Sequence, residues 1–487
     1  MTSTASGVTT TTTMRRRISL PTGFKRGVRV VTASANDASA NAQPPPLPPQ
    51  ADSNAMDLRQ RLSVFAVMLA VFLHLLGFTV TGPITPGLVS HFNIPSANVG
   101  YLTSAYPLGM FGALFLWPQL SDRVGRKPIL VLSLMGVGAG LVLQGLCVRS
   151  GWSLQAFLAL RVLSGAFAGA SPVVKAYLAD ASTPESLPQL MAWREASCTF
   201  AFIVGPTLGG LLFAGYSLHA AISVTGWASI AAAALVLAFM SAPEAMKAAS
   251  EDGKQKAGTA KLEGDTGERG GNEPPTVTKI SPPGVYDPDA LSCPLGRNYL
   301  TAVATICTTS FLYNAGQSTF DSFFPLLLSK KLAMNPTQIG GLLTALSAVS
   351  FTVSATLFAP VQKVLGLTKT TVMGLSLVAL GLVAIGQAGA GLVPPSAFVY
   401  VAGLPLFTPA IPILLMQCVP PTRRGTVMGV DSAINSMARI ISPIIFGRLF
   451  ASDPAIAFTV AGFVVACAAV LVLARRWLVI KAPMFRV

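Results

Sequence analysis

The chain has 487 residues, of which 52% are hydrophobic and only 11% charged, with a mean hydropathy of +0.60 and a formal net charge of +15. A soluble chain carries about twice that share of charged residues, so the composition excludes an ordinary soluble enzyme or binding domain. The positive charge does not indicate nucleic acid, because the basic residues are dispersed among short loops and form no stripe with interleaved aromatics. Cys147, Cys198, Cys293, Cys307, Cys418 and Cys467 stand singly, with no CxxC pair and no metal-ligand spacing to the three histidines. They read as small packing residues, and no metal or cofactor is expected.

Residues 1–36 lack Asp and Glu, are rich in Ser and Thr, and carry Arg15, Arg16, Arg17, Lys25, Arg26 and Arg29. That is transit-peptide composition. The apolar core of a secretory signal is missing, and the stretch from Pro45 to Pro49 reads as a disordered spacer. The expectation is a transit peptide and disordered leader over 1–55, directing the protein to a chloroplast envelope membrane. The mitochondrial inner membrane or another endomembrane is the alternative destination, and an ordinary cytosolic tail the alternative reading of the leader.

From Val64 onward, apolar runs of the length needed to cross a bilayer as helix follow one another. Twelve spans are expected, near 62–88, 97–117, 128–148, 153–179, 190–214 and 219–240, then 298–328, 336–359, 370–390, 394–417, 425–450 and 454–474. The intervening stretch 241–297 is rich in Gly, Lys, Glu and Pro and reads as a flexible linker. The division is therefore a six-helix bundle over 56–240, the linker, and a second six-helix bundle with a short tail over 298–487: an all-α membrane protein. Lys and Arg concentrate on the side of the termini and linker, whereas the opposite loops hold only Arg149, Lys330 and Lys331. The positive-inside rule puts termini and linker on the cytosolic or stromal side.

The halves repeat. Residues 191–213 align without gaps on 428–450, placing Pro206 on Pro443, Gly210 on Gly447 and Phe213 on Phe450. Gly77, Pro86 and Gly100 fall on Gly316, Pro325 and Gly340 with one residue inserted. Parallel repeats of six spans are the build of two-bundle transporters, with the substrate site between the bundles.

Residues 121–127, Ser-Asp-Arg-Val-Gly-Arg-Lys, occupy the tight loop between the second and third spans. Gly125 permits the turn, Asp122 suits a helix N-terminus, and Arg126 can pair with a carboxylate. This loop resembles the G-x-L-x-D-R-x-G-R-K signature of the major facilitator superfamily at Asp122, Arg123, Gly125, Arg126 and Lys127, with Pro118 at the leading glycine. The resemblance implies Asp180, at the inner end of the fourth span, as the partner of Arg126, and a switch that latches the outward-open state. The equivalent loop of the second half, 360–369, has lost the acid.

Gly205-Pro206-Thr-Leu-Gly209-Gly210 in the fifth span resembles the antiporter motif of that family, with Ala201 at its upstream glycine. Pro206 removes a backbone hydrogen bond and the glycines permit close helix approach, which predicts a kinked hinge. Residues 77–86 resemble the G-F-x-x-x-x-P-x-L-P of the twelve-span drug:proton antiporter branch, the tetracycline and multidrug efflux type, with Thr85 for Leu.

Charged residues within spans are costly and mark a functional interior. Arg161 resembles the intramembrane arginine of a second family motif, and an ion-pair or carbonyl-capping role competes with coupling. Many exporters of this branch carry a carboxylate in the first span, where this chain has His74, which reads more readily as a hydrogen-bonded interior histidine than as a cavity residue. Asn314, Gln317 and Asp321 share a face of the seventh span, and Asp431, Asn435 and Arg439 recur at i+4 in the eleventh. Asp431 is the preferred proton or substrate residue.

The expectation is a secondary-active transporter moving a small organic solute by alternating access as proton-coupled efflux. It would be monomeric in the lipid bilayer, with protons as coupling ion and no nucleic-acid partner. The alternative is a uniporter or exchanger of an organelle metabolite, an anionic one if Arg161 and Arg439 set the charge. From another class, a non-transporting receptor or assembly factor could retain the fold. No nucleophile–base pair, metal site or phosphate loop suggests an enzyme.

Overall fold

The computed structural model describes residues 58–182, 186–240, 297–419 and 423–478. The expected leader and nearly all of the expected linker lie outside the described residues. Every expected span coincides with helix. Ten helical segments are long and apolar enough to cross a membrane by length and composition. The seventh and eleventh spans, Arg297–Leu332 and Arg424–Ser452, are helices of 36 and 29 residues. They are not among the ten, and they carry the polar set Asn314, Gln317, Asp321, Asp431, Asn435 and Arg439.

Four spans expected as single helices are broken, the eighth only near its inner end, between Pro336–Thr356 and Phe358–Leu365. The first divides into Leu58–Thr79 and Thr81–His91, the fourth into Leu154–Phe167 and Ala170–Asp180, and the tenth into Val393–Phe407 and Ala410–Cys418. At or beside each of these three breaks is a residue four before a proline: Thr79 before Pro83, Ala168 before Pro172 and Thr408 before Pro412. Proline has no N–H for the carbonyl four residues back, and its ring crowds that carbonyl. At the hinge expected over Gly205–Gly210, helix Leu187–Gly215 runs without a break through Pro206.

The signature loop is a single residue. Gly125, with φ of +105°, joins helix Val99–Val124 to helix Arg126–Arg149. Gly366, with φ of +78°, does the same between Phe358–Leu365 and Leu367–Gln387 in the second half. Positive φ at both positions is glycine territory.

Large apolar side chains such as Phe65, Trp227, Phe463 and Val470 are exposed on the outside of the helices. A surface this apolar is unusual for a soluble monomer and suits lipid. The face carrying Gly125 is the basic face below, and the face carrying Lys330 the opposite face.

The halves meet towards the opposite face. There the second span packs on the eleventh, the fifth on the eighth, and the outer piece of the first, Thr81–His91, on the seventh. The seams are nearly two copies of one pattern. A Cβ on Gly100 would fall on the carbonyl of Pro443, and one on Gly340 would fall on the carbonyl of Pro206. Ser104 donates to the carbonyl of Ile440 at 2.7 Å, and Thr344 to that of Ile203 at 2.7 Å. Gly100 and Gly340, Pro443 and Pro206, Ile440 and Ile203 are repeat-equivalent positions. Thr207 and Thr344 also join hydroxyls across the seam at 2.7 Å.

Apolar packing follows the same division. One buried cluster runs across the halves, from Ile84, Leu88 and Leu102 to Phe323, Phe446 and Phe450. A second, including Val67, Leu134, Tyr177 and Val236, belongs to the first half alone.

Candidate functional site

A cavity of about 840 Å³ lies between the halves. Its walls come from the two halves, with His74, Arg161 and Phe202 from the first and Gln317, Asp321 and Arg439 from the second. It extends to Val67, Val174, Arg194 and Ser354, on the segments that lead to the basic face, while the glycine seams close the opposite face. The structure is thus the form open towards the basic face.

Broken helices supply much of the lining. The first span contributes residues on both sides of its break at Val80, including His74, Phe78, Gly82 and Thr85, and the tenth reaches the wall at Tyr400, Leu404, Pro405 and Thr408. Arg161 stands two turns before the break of the fourth span. Its Nε is buried and has no hydrogen-bond partner among the described residues, and the same holds for Nδ1 of His74. Neither the ion pair nor the carbonyl cap that could have explained Arg161 is present among those residues.

The polar sets of the seventh and eleventh spans divide between wall and interface. Gln317, Asp321 and Arg439 line the cavity. Asp431, Asn435 and Asn314 do not, so Asp431, the preferred proton or substrate residue, stands off the cavity wall. They form a ladder instead: Asn435 donates to Asp431 Oδ2 at 3.0 Å, Asn314 donates to Asn435 Oδ1 at 3.1 Å, and Arg439 Nε reaches Asn314 Oδ1 at 3.4 Å. Asn314 also donates to the carbonyl of Ser310 at 2.8 Å. Eight residues of helix turn a side chain about 80° around the axis. Asp431 therefore looks into the seam with the seventh span, while Arg439 comes round to the cavity.

At the basic face, Arg126 Nε donates to Asp180 Oδ2 at 3.1 Å, its NH1 donates to Ser121 Oγ at 2.7 Å, and it also pairs with Asp122. Arg123 and Lys127 have no ion pair among the described residues. All partners of Arg126 belong to the first half, and the pair exists while the opposite face is closed. The Arg126–Asp180 contact alone therefore does not distinguish the outward-open state, contrary to the latch implied by resemblance. In the fifth span the glycines serve packing: Gly205 abuts Thr79, Gly209 the backbone of Val80, and Gly210 the backbone of Pro336.

Several lining groups were not singled out from sequence. Arg194 is buried, pairs with Glu195 and donates to Ser171 Oγ at 2.6 Å. The signal was available, because the repeat places Arg194 on Asp431. Tyr106 and Tyr400 also line the cavity, and a tyrosine in an apolar run gives no such signal.

Two bundles around a central cavity sealed at one end define a membrane transporter. The profile of the Major Facilitator Superfamily matches residues 67–307 and 306–484, and the chain belongs to that family. It is 23% identical to multidrug resistance protein 1 of Bacillus subtilis (strain 168) over 400 residues, covering 81% of this chain and 91% of that one. Its identity to the class C tetracycline resistance protein of Escherichia coli is also 23%, over 399 residues, with 81% and 91% covered. The fold superposes on a bacterial homologue of the human lysosomal transporter Spinster, in its inward-facing and unoccupied form, with a TM-score of 0.61 at 15% identity. That match covers 87% of this chain and 97% of the other. These likenesses are to transporters, and the chain is not an enzyme.

Proposed function

We propose that this chain exports a small organic solute by alternating access, with protons as the coupling ion. The observation that carries the reading is the cavity between two repeat-related bundles, sealed on one face by glycine seams and carrying the Asp321 carboxyl in its wall. Glycine-on-carbonyl contacts are short in range and few, so the halves can separate there and close at the basic face. An intramembrane carboxyl at a solvent-reached cavity is the usual means of coupling protons to such a cycle. The drug-resistance names of the two bacterial relatives support efflux as the direction.

Reconstitution of the purified full chain into proteoliposomes, with an imposed pH gradient and a panel of solutes, tests this directly. Uphill movement that collapses with the gradient is the expected result. Movement that ignores the gradient rejects coupling and favours the exchanger reading. The unpaired Arg161 in the wall gives that second reading its support.

We further assign residues 1–55 as an organelle leader and the plastid envelope as the destination, on composition alone, with 241–297 as the linker and a monomer as the working unit. A fluorescent fusion of residues 1–55 that stays in the cytosol would reject the localisation.

A further inference from the structure

Among the described residues, seven buried side-chain nitrogen or oxygen atoms lack a hydrogen-bond partner, and four of them belong to residues of this one cavity: His74 Nδ1, Arg161 Nε, Arg194 Nε and the Tyr400 hydroxyl. Buried polar groups in folded proteins are ordinarily satisfied, so their concentration here marks a place where a ligand supplies what the protein does not. The two guanidinium groups can only donate. The missing partner is an acceptor.

Charge gives the same answer. The lining holds Arg161, Arg194 and Arg439 against Glu195 and Asp321, one positive charge in excess. Arg194 and Glu195 neutralise each other near the basic mouth. Of the two remaining arginines, Arg161 has no ion pair among the described residues, and Arg439 makes no ion pair there either, having a 3.4 Å hydrogen bond to the neutral Asn314 and the Asp321 carboxyl near enough to interact electrostatically. The rest of the wall mixes hydroxyl side chains such as Thr85, Ser318 and Ser347 with an aromatic set, Phe78, Phe202, Phe320 and Phe351.

Resting on the carrier reading above, we propose that the solute is an amphipathic organic monoanion. Its acid group is bound by Arg161 from the first half and Arg439 from the second, and its aromatic body lies against the phenylalanines. Guanidinium is the side chain suited to bidentate capture of a carboxylate or sulfonate. Its presence on both halves gives the solute a different set of contacts in each state of the cycle, which is what a ligand needs in order to shift a conformational equilibrium. The ladder from Asp431 through Asn435 and Asn314 then acts as a positioning device for Arg439.

The test uses the full chain in lipid nanodiscs and in proteoliposomes, with two sets of isosteres: 1-naphthoate, 1-naphthamide and 1-naphthylmethylammonium, and the corresponding phenylacetate series. The acids should raise the melting temperature and undergo counterflow, while the amides and amines do neither. Arg161→Gln and Arg439→Gln should each weaken acid binding about tenfold or more, the scale of a lost charge-assisted hydrogen bond. Arg161→Lys should recover part of it, and unliganded melting curves identify any variant that fails to fold. The proposal is overturned if amides or amines stabilise as strongly as the acids, if no member of either series binds, or if the acids' effect survives both glutamine variants. Exchange of amines or amides would sink the anion assignment and leave the carrier reading standing. Acids that bind without crossing the bilayer would sink the carrier reading and leave the site standing.

Discussion

Ser104 donates its hydroxyl hydrogen to the carbonyl of Ile440 at 2.7 Å, across the boundary between the two halves. The repeat-equivalent pair, Thr344 to Ile203, has the same length. Each bond is a neutral side-chain to backbone contact, worth about 0.5–1.5 kcal/mol net. Ser104→Ala and Thr344→Val should therefore each shift the population away from the form closed on the opposite face by roughly 2- to 10-fold. The shift is measurable as increased labelling of a cysteine placed in that seam. Strongly unequal effects would show that the two seams do not share the work.

Gly100 and Gly340 face the carbonyls of Pro443 and Pro206 too closely for any Cβ. Overpacking of this kind costs about 1–3 kcal/mol. Gly100→Ala and Gly340→Ala should destabilise the closed opposite face more than the hydroxyl variants do, and slow turnover in a transport assay. Gly341→Ala is the control, because a Cβ there meets nothing within 4 Å. It should be silent.

Coupling divides two carboxyls. Asp321 lines the cavity and Asp431 does not. Asp321→Asn should abolish accumulation driven by a pH gradient while leaving solute exchange intact. Asp431→Asn should keep coupling and lower substrate affinity through a displaced Arg439. The opposite pattern would restore Asp431 to the role its sequence position suggested.

At the basic face, Arg126→Ala removes contacts to Asp122, Asp180 and Ser121. Asp122 and Asp180 are substantially exposed, so the stability cost should be small, about 0.2–1 kcal/mol per pair. Transport should fall out of proportion to any change in melting temperature. If Asp122→Asn and Arg126→Ala both left the cellular phenotype untouched, a receptor or scaffold that merely keeps the fold would be the better reading.

Gly125→Ala places a side chain at a φ of +105° in the one-residue turn. A cost of about 1–3 kcal/mol is expected from a backbone conformation open essentially only to glycine, read as a lower melting temperature.

Most of the fold was legible because a bilayer demands long apolar helices, and composition records that demand directly. Repeat spacing of glycine and proline was legible too, and it located Gly100, Gly340, Pro206 and Pro443, the residues that later proved to form the seams. Helix breaks at Val80, Ala168 and Thr408 were written in Pro83, Pro172 and Pro412, three or four residues on, but Pro206 carries the same mark in an unbroken helix. A proline therefore names a candidate break and its neighbours decide. Asp431 misled because an i+4 pattern drifts around the helix, so a row of polar residues can start in an interface and end in a cavity. Arg194 stood on Asp431 in the repeat, and only packing showed that both positions are buried charges.

Alternation between two closures is the central claim, and it can be measured without knowing the solute. Spin-label pairs at Ser90 and Lys331 report the opposite face, and pairs at Val124 and Lys363 the basic face. Double electron–electron resonance on the full chain in lipid should give two distance populations at each face, short at one when long at the other. A disulfide between Thr207→Cys and Thr344→Cys, whose native hydroxyls touch at 2.7 Å, should collapse both pairs to the form open at the basic face. A single unchanging distance at both faces, with or without that cross-link, would contradict the account.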